Sequence, residues 1–423
     1  MATLSLSLPR YVLAAASVCT LFTACVQDAG IAPEDRQQPA PAPEVSDEAF
    51  REDAARLERN GFVLLRDIAK CRTKENTLIS PYSIHAAFGL VSLGAGGETA
   101  AQLHELLGLP EATGPYFARL EKSVAAGNAD DGATVLTSNS AWMPEMETLK
   151  SAFKEASARH FDCRVENLDF GNGPAVAKTI NGFVEEKTKG LIRNLVDPSA
   201  ISPATRMVLV NTLYFRAKWA KAFSRDSTRD APFACADGKT KDVPMMYAER
   251  KGLPYFEGDG VKGVVLDYAS TRYKFVAILP DAEGGDLAAA LDALADGRLG
   301  GWLQGAARET VRLWLPRLDI EFKTSLVPTL KSLGLVAPFD AGPGFAELSE
   351  NGPLTISEVL HATKLILNEE ETEAAAATGI IMTRSLAVAP KEPKIFRADR
   401  PFVGIVYDTD TKTVLFASVV NEP

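Results

Sequence analysis

One stretch near the C-terminus constrains this chain more than any other: Asn368-Glu369-Glu370-Glu371-Thr372-Glu373-Ala374-Ala375-Ala376-Ala377-Thr378-Gly379-Ile380-Ile381-Met382-Thr383-Arg384-Ser385. Read locally it is a helix start, with acids ahead of a Thr and an alanine run, and acids suit a helix N-terminus. Read with a period of two it is a strand. The alternate set Thr372, Ala374, Ala376, Thr378, Ile380 and Met382 carries no charge, and its first four members are small. Side chains alternate faces along a strand, so this set could enter a closed interior while Glu373 stays in water. A segment that slides between two existing strands needs such a face, free of bulk and charge. Periodicity alone leaves both readings open.

The composition describes the body that this segment belongs to. The chain is 46% hydrophobic with a net charge of -10, which suits a folded, soluble body with a large core. The acidic balance argues against nucleic acid as a partner. No composition break divides residues 47–423, which read as one domain. The N-terminus is different. Arg10 precedes an apolar run over 11–24 that is too short to span a bilayer comfortably, so residues 1–24 read as a signal peptide. The run ends Leu21-Phe22-Thr23-Ala24-Cys25. Small residues before a Cys resemble a bacterial lipoprotein cleavage site, which makes Cys25 a lipidated first residue; plain secretion is the alternative. Val26 in place of Asp points to the outer membrane in a two-membrane cell. Residues 26–46, rich in Pro, Ala, Gln and Asp, read as a flexible tether. The remaining cysteines, Cys71, Cys163 and Cys235, are an odd, widely spaced set with neither a disulfide framework nor a metal pattern.

Phe50, Ala54, Leu57, Leu64, Leu65 and Ile68 follow helical spacing, with Ser46 or Asp47 as cap. Ser80-Pro81 opens a second helix, apolar nearly all round over 86–93, and 99–109 forms a third. Runs rich in β-formers predict strands at 135–143, 207–215, 261–268, 273–279, 311–315, 403–407 and 414–420. The last two flank a polar hairpin turn at 408–413. Helices and strands alternate without a βαβ repeat, which argues for an α+β architecture.

Enzyme chemistry finds little support. The chain has no HExxH, Walker loop or GxSxG pattern. Ser151-Ala-Phe-Lys154, Ser349-Glu-Asn351 and Lys412-Thr413-Val414 imitate the three elements of penicillin-binding proteins, but the spacing is too wide and the last lacks its glycine. The four histidines, His85, His104, His160 and His361, are scattered.

Several blocks in order point elsewhere. They are Asn76-Thr-Leu-Ile-Ser80-Pro81-Tyr-Ser83, Asn211-Thr-Leu-Tyr214-Phe215-Arg-Ala-Lys218-Trp219, Val243-Pro-Met245-Met246, Leu279-Pro280, Leu315-Pro316-Arg317-Leu318, His361 and Asp399-Arg400-Pro401-Phe402. With the segment from Glu369 to Thr378, they resemble the serpins, the serine protease inhibitors, over roughly residues 50–423. The resemblance implies an α+β serpin fold, with helices around three β-sheets and an exposed reactive loop at 371–395. It implies a monomer, without cofactor or metal, that acts as an irreversible suicide substrate of a serine protease. Glu369, Glu370, Glu371, Thr372, Glu373, Ala374, Ala375, Ala376, Ala377 and Thr378 then form the hinge that inserts into the main sheet after acylation. Ser80, Ser83, Asn211 and His361 form a polar latch where two central strands part, and Trp219 stands where insertion begins. Glu369 and Arg317 pair at the loop base, for under ~1 kcal/mol if exposed.

The reactive bond falls at Arg384-Ser385. Arg384 is the one basic residue between Lys364 and Lys391, and a small residue follows it, as a trypsin-like protease accepts. Ser385-Leu386 and Met382-Thr383 are the competing bonds. Some family members bind sulfated polysaccharide through a basic helix; the matching segment 98–107 has no Lys or Arg, so no glycosaminoglycan site is expected. Two departures matter. Glu371 stands where the family prefers Gly, and the family's closing Leu-Phe-x-Gly-Arg reads Leu415-Phe416-Ala417-Ser418-Val419. They keep open a non-inhibitory serpin that acts as a binding or structural protein, against which the small residues after Thr372 argue.

Overall fold

A computed structural model describes residues 45–127, 133–161, 163–281, 287–340, 342, 344–369 and 391–423. Helix α1 (Asp47–Lys70) starts where Ser46 accepts the Ala49 N–H, with Asp47 and Glu48 in its first turn. Its apolar stripe, Phe50, Ala54, Leu57, Leu64, Leu65 and Ile68, is buried. The short β1 (Thr77–Ile79) leads into α2 (Pro81–Ser92), capped by Ser80 and buried nearly all round. The two helices touch at Gly61, where an added Cβ would lie 2.5 Å from Pro81 Cβ.

Helix α3 (Gly97–Leu107) ends two residues before the expected 109, because Gly108 turns left-handed at φ 65°. Helix α4 (Thr113–Gly127), β2 (Ala133–Pro144), α5 (Ser151–His160), β3 (Cys163–Leu168), α6 (Gly173–Lys187) and β4 (Val208–Ala217) follow. Then come β5 (Arg229–Ala234), β6 (Thr240–Gly258), β7 (Val261–Asp267), β8 (Tyr273–Pro280), α7 (Leu287–Ala295) and α8 (Leu299–Gly305). The chain closes with β9 (Ala307–Pro316), β10 (Leu318–Ser325), α9 (Val327–Ser332), β11 (Glu358–Leu367), β12 (Lys394–Arg397), β13 (Phe402–Asp408) and β14 (Thr413–Val420).

One sheet is five-stranded, in the order β10-β11-β4-β2-β3. The other is a nine-stranded network, β1-β14-β13-β8-β7-β6-β9-β12, with β5 on β6. The three sheets expected from sequence are thus two by hydrogen bonding, because β6 is long enough to serve two of them. Its first half pairs with β5 and β9, and its last residues, from Tyr255, pair with β7 after a register shift between Arg250 and Leu253. The reactive loop, expected to run to 395, gives way to β12 at Lys394, where pairing with β9 buries Phe396 completely.

The main core lies between the two sheets and beneath α1, α2 and α4. A second core forms where α6 covers the five-stranded sheet, packing Ile180, Phe183 and Val184 on Trp142, Val208, Val210 and Ala362. Strands β4 and β11 are therefore covered on both faces where Val208, Val210 and Ala362 meet α6, and polar residues such as Asn211 and His361 are buried with them.

Candidate functional site at the seam between two central strands

Strands β4 and β11 are neighbours in the middle of the five-stranded sheet, and they run parallel. Their pairing extends from Glu358↔Val208 to Thr363↔Leu213 and stops there. Both strands continue, β4 to Ala217 and β11 to Leu367, with other partners on their outer sides. The seam is therefore closed at one end and splayed at the other. A small cavity lies in the splay, lined by Phe215, Ala217, Trp219, Ile366 and Leu367. The chain leaving β11 passes directly over it.

Trp219 closes the top. Its indole stacks on Tyr268 with ring centroids 4.6 Å apart, and its Nε1–H donates to the Asn368 carbonyl at 2.8 Å. The next residue, Glu369, is 2% exposed. Arg317 grips it in a fork, with Nε 2.8 Å from Oε2 and Nη2 2.8 Å from Oε1, and the Thr228 hydroxyl donates to Oε1 as well. Burial pushes the Glu369 carboxyl up, but the hydrogen bonds from Arg317 and Thr228 outweigh it and hold the group below the usual carboxylate range. The pair is not the exposed contact weighed from sequence. One partner is out of water, so removing Arg317 leaves a buried charge unpaired.

Lower in the seam, His361 of β11 sits in register with Asn211 of β4, which sits in register with Asn139 of β2. The β1–α2 junction holds this row from below. The Ser80 N–H donates to His361 Nε2 at 3.1 Å, so the other ring nitrogen, Nδ1, carries the proton and donates to Asn211 Oδ1. The Ser83 hydroxyl lies 3.2 Å from the same oxygen, and the Thr363 hydroxyl donates to the Leu78 carbonyl at 2.7 Å. Burial lowers the His361 pKa to about 3, so the ring is neutral. Among the described residues, Asn211 Nδ2 and both amide atoms of Asn139 are buried without a hydrogen-bond partner. Such groups cost about 1–3 kcal/mol each, which weakens the sheet at this level.

The structure thus gathers Ser80, Ser83, Asn211 and His361 into one cluster, and Trp219, Arg317 and Glu369 into a second above it. Glu370, Glu371, Thr372, Glu373, Ala374, Ala375, Ala376, Ala377, Thr378, Arg384, Ser385 and Cys25 lie outside the described residues. Sequence reasoning missed Thr228, Thr363, Asn139 and Tyr268. Only Asn139 left a signal, an amide in an otherwise β-forming run. Among the described residues no group of His, Cys, Asp and Glu is arranged to hold a metal. Two members of the penicillin-binding pattern are engaged in a turn: Ser349 donates to Glu147 at 2.7 Å, and Asn351 Oδ1 accepts the Thr148 N–H at 2.7 Å.

A parallel pair of strands, splayed where the chain leaves one of them, can accept that chain as a third strand. Turning back from β11, it would run antiparallel to β11 and equally to β4. Comparison with known proteins agrees with this architecture. The serpin (serine protease inhibitor) family model matches residues 56–423, and the chain belongs to the serpin family. An uncharacterized serpin-like protein of Thermococcus kodakarensis is 31% identical over 86% of this chain and 84% of its own. A serine protease inhibitor of Cyanea capillata is 33% identical over 83% of this chain and 93% of its own. The crystal structure of native protease nexin-1 with heparin superposes with a TM-score of 0.80 at 25% identity, covering 88% of this chain and 100% of that one. The α+β serpin fold is that of this chain, and members of the family are in general protease inhibitors rather than enzymes.

Proposed function

We propose that this protein inhibits serine proteases as an irreversible suicide substrate, and that its target is trypsin-like. The observation that carries the reading is the parallel β4–β11 seam, splayed at the point where β11 runs into the hinge. The protease serine attacks the Arg384 carbonyl, its proton passes through the protease histidine to the leaving amine, and the Arg384–Ser385 bond breaks. The acyl-enzyme remains on Arg384, and Ser385 becomes a new N-terminus. Cleavage frees the hinge, and the segment from Thr372 enters the seam with its small, uncharged face inward. The native fold is then metastable, held by a kinetic barrier, and the protease is carried off its catalytic geometry before water completes the reaction. The protein supplies no catalytic group.

Incubation with trypsin and a denaturing gel test this. A covalent complex is expected, lost in Arg384→Ala, and the released C-terminal peptide should begin at Ser385. Complete loop cleavage with trypsin still active would replace this reading by a non-inhibitory one.

The location is proposed on sequence grounds: a signal peptide at 1–24, lipid on Cys25, a tether at 26–46, and an outer-membrane or extracellular site for the domain at 47–423. Labelled palmitate incorporated by the wild type but not by Cys25→Ser would support the anchor. We also propose that the domain is a monomer that binds neither nucleic acid nor glycosaminoglycan. Helix α3 carries no Lys or Arg, and Arg119 of α4 is paired with Asp47. Nexin-1 was solved with heparin, so a heparin column that retains this protein at physiological salt would overturn that point.

A further inference from the structure

We propose that the outward face of β6, β9 and β12 is a second docking surface for the attacking protease, fitted to an enzyme whose surface beside its cleft is acidic; this rests on the inhibitory reading above. The face is defined by register. Strand β12 sets Ile395 beside Arg312 and Arg397 beside Trp314, and β6 sets Tyr247 beside Trp314 and Glu249 beside Arg312. The opposite face is core, with Phe396 and Leu313 fully buried. On the outward face the Tyr247 and Trp314 rings lie 4.8 Å apart, and the Arg397 guanidinium lies 4.3 Å from the Trp314 ring centre. Ile395 is 55% exposed, although it is a large hydrophobic residue. Tyr, Trp and Arg are the residues that dominate binding energy at protein interfaces, and here a sheet holds all three rigid.

The charges on and around this face select the partner. Arg312 is neutralised by Glu249 at 3.2 Å and Lys394 by Glu257 at 2.7 Å. Arg397 has no carboxylate partner among the described residues and is exposed. It is a cation fixed on an aromatic ring, available to a carboxylate from outside.

The occupant follows from where the loop ends. Ser385 precedes Lys391 by six residues, which is at most about 20 Å of extended chain. Strand β12 begins three residues later, at Lys394. A protease domain of about 220 residues has a radius of gyration of roughly 17 Å. Ile395 and Arg397 lie ten and twelve residues beyond Ser385, at most about 36 and 43 Å of extended chain, so an enzyme about 40 Å across that is closed on Arg384-Ser385 can reach them.

The test compares the full chain with Arg397→Glu and Tyr247→Ala against anionic and cationic trypsin. The proposal expects Arg397→Glu to slow association with anionic trypsin about tenfold at low salt, and less with the cationic form. The difference should shrink at high salt, as screened charges require. Tyr247→Ala should slow both enzymes independently of salt. The melting temperature and the fraction of encounters that end in covalent complex should stay as in the wild type. Association rates within twofold of the wild type for both variants would overturn the proposal, as would an Arg397→Glu loss independent of salt and isoform. If the wild type is cut without forming a complex, the inhibitory reading fails on its own; kcat/KM for loop cleavage then replaces the association rate, with the same outcomes for and against the surface.

Discussion

Strands β8, β13 and β14 and the pair β4–β11 are both buried and both rich in Val, Leu and Ile, yet they are built to different ends. Strand β13 is antiparallel to both neighbours, paired along its length, and buried at every residue. Its one charged group, Asp408, accepts from Arg272 Nε at 2.9 Å, from the Asp410 N–H and from the Thr411 hydroxyl. Strand β4 meets β11 in parallel, over six residue pairs, with a neutral histidine in the seam beside Asn211, whose Nδ2 has no hydrogen-bond partner among the described residues. Parallel pairing is slightly weaker per residue, and unpaired buried polar atoms weaken it further. Apolar content does not distinguish the two regions. Strand direction and the satisfaction of polar groups do, and under the proposed function they give one protein a permanent frame and a divisible sheet.

The largest test of this contrast is to divide the seam. Nicking the loop should raise the melting temperature by roughly 10 °C or more, with each kcal/mol worth about 1 °C in a domain of this size. Equal melting of intact and nicked protein would mean that the seam accepts no strand.

Next, Phe416→Ala in the frame, where Phe416 is fully buried, should cost about 3–5 kcal/mol, in intact and nicked forms alike. A loss confined to one form would show that the frame also rearranges.

Acid should act on the seam. The His361 ring has a folded pKa of about 3, below the unfolded value near 6.5. Between those values the unfolded chain binds a proton that the folded one refuses, so stability present above pH 6.5 is lost as the pH falls. The slope reaches about 1.4 kcal/mol per pH unit for one group. His85, also lowered to about 3 by burial, adds its own. Burial also raises the Glu58 pKa to about 7, which acts in the opposite direction, because the folded chain then binds a proton that the unfolded one releases. His361→Gln should therefore reduce the loss between pH 6.5 and 5.5 by about 1 kcal/mol, by chemical denaturation; an unchanged slope would remove His361 from the explanation.

The last test is at the loop base. Arg317→Ala should destabilise the intact protein by about 1–3 kcal/mol, the cost of leaving a buried carboxylate without its donor. It should leave the nicked form less affected, and equal losses in both forms would place Glu369 in the frame rather than at the seam.

The parts of the fold legible in the sequence were those with local causes. The caps at Ser46 and Ser80 and the apolar periods behind them fixed α1 and α2, and β-forming runs marked β2, β4, β7, β8, β13 and β14. Strand β6 was not legible. Pro244, Gly252 and Pro254 disfavour a strand and Glu249-Arg250-Lys251 breaks the alternation, yet pairing on two sides makes these 19 residues a strand. Strand β12 is only four residues long and shows no period. At the site, the ion pair of Glu369 with Arg317 could be named from sequence through family resemblance. Thr228 could not, because a lone hydroxyl beside Arg229 carries no signal until folding places it against Glu369.

The sequence by itself determined which segments carry a strand's or a helix's face, and that one stretch near the C-terminus has a side small and uncharged enough to be buried late. These follow from side-chain size, charge and period, which are local properties. The tertiary structure alone decided that β4 and β11 lie side by side and parallel, that their pairing ends at Thr363 and Leu213, and that Asn139, Asn211 and His361 line up across it. Residues 150 positions apart in the chain, such as Asn211 and His361, exert no influence on one another's local conformation. Only the closure of the whole core brings them into register, so only the folded protein shows where the pairing of β4 with β11 ends.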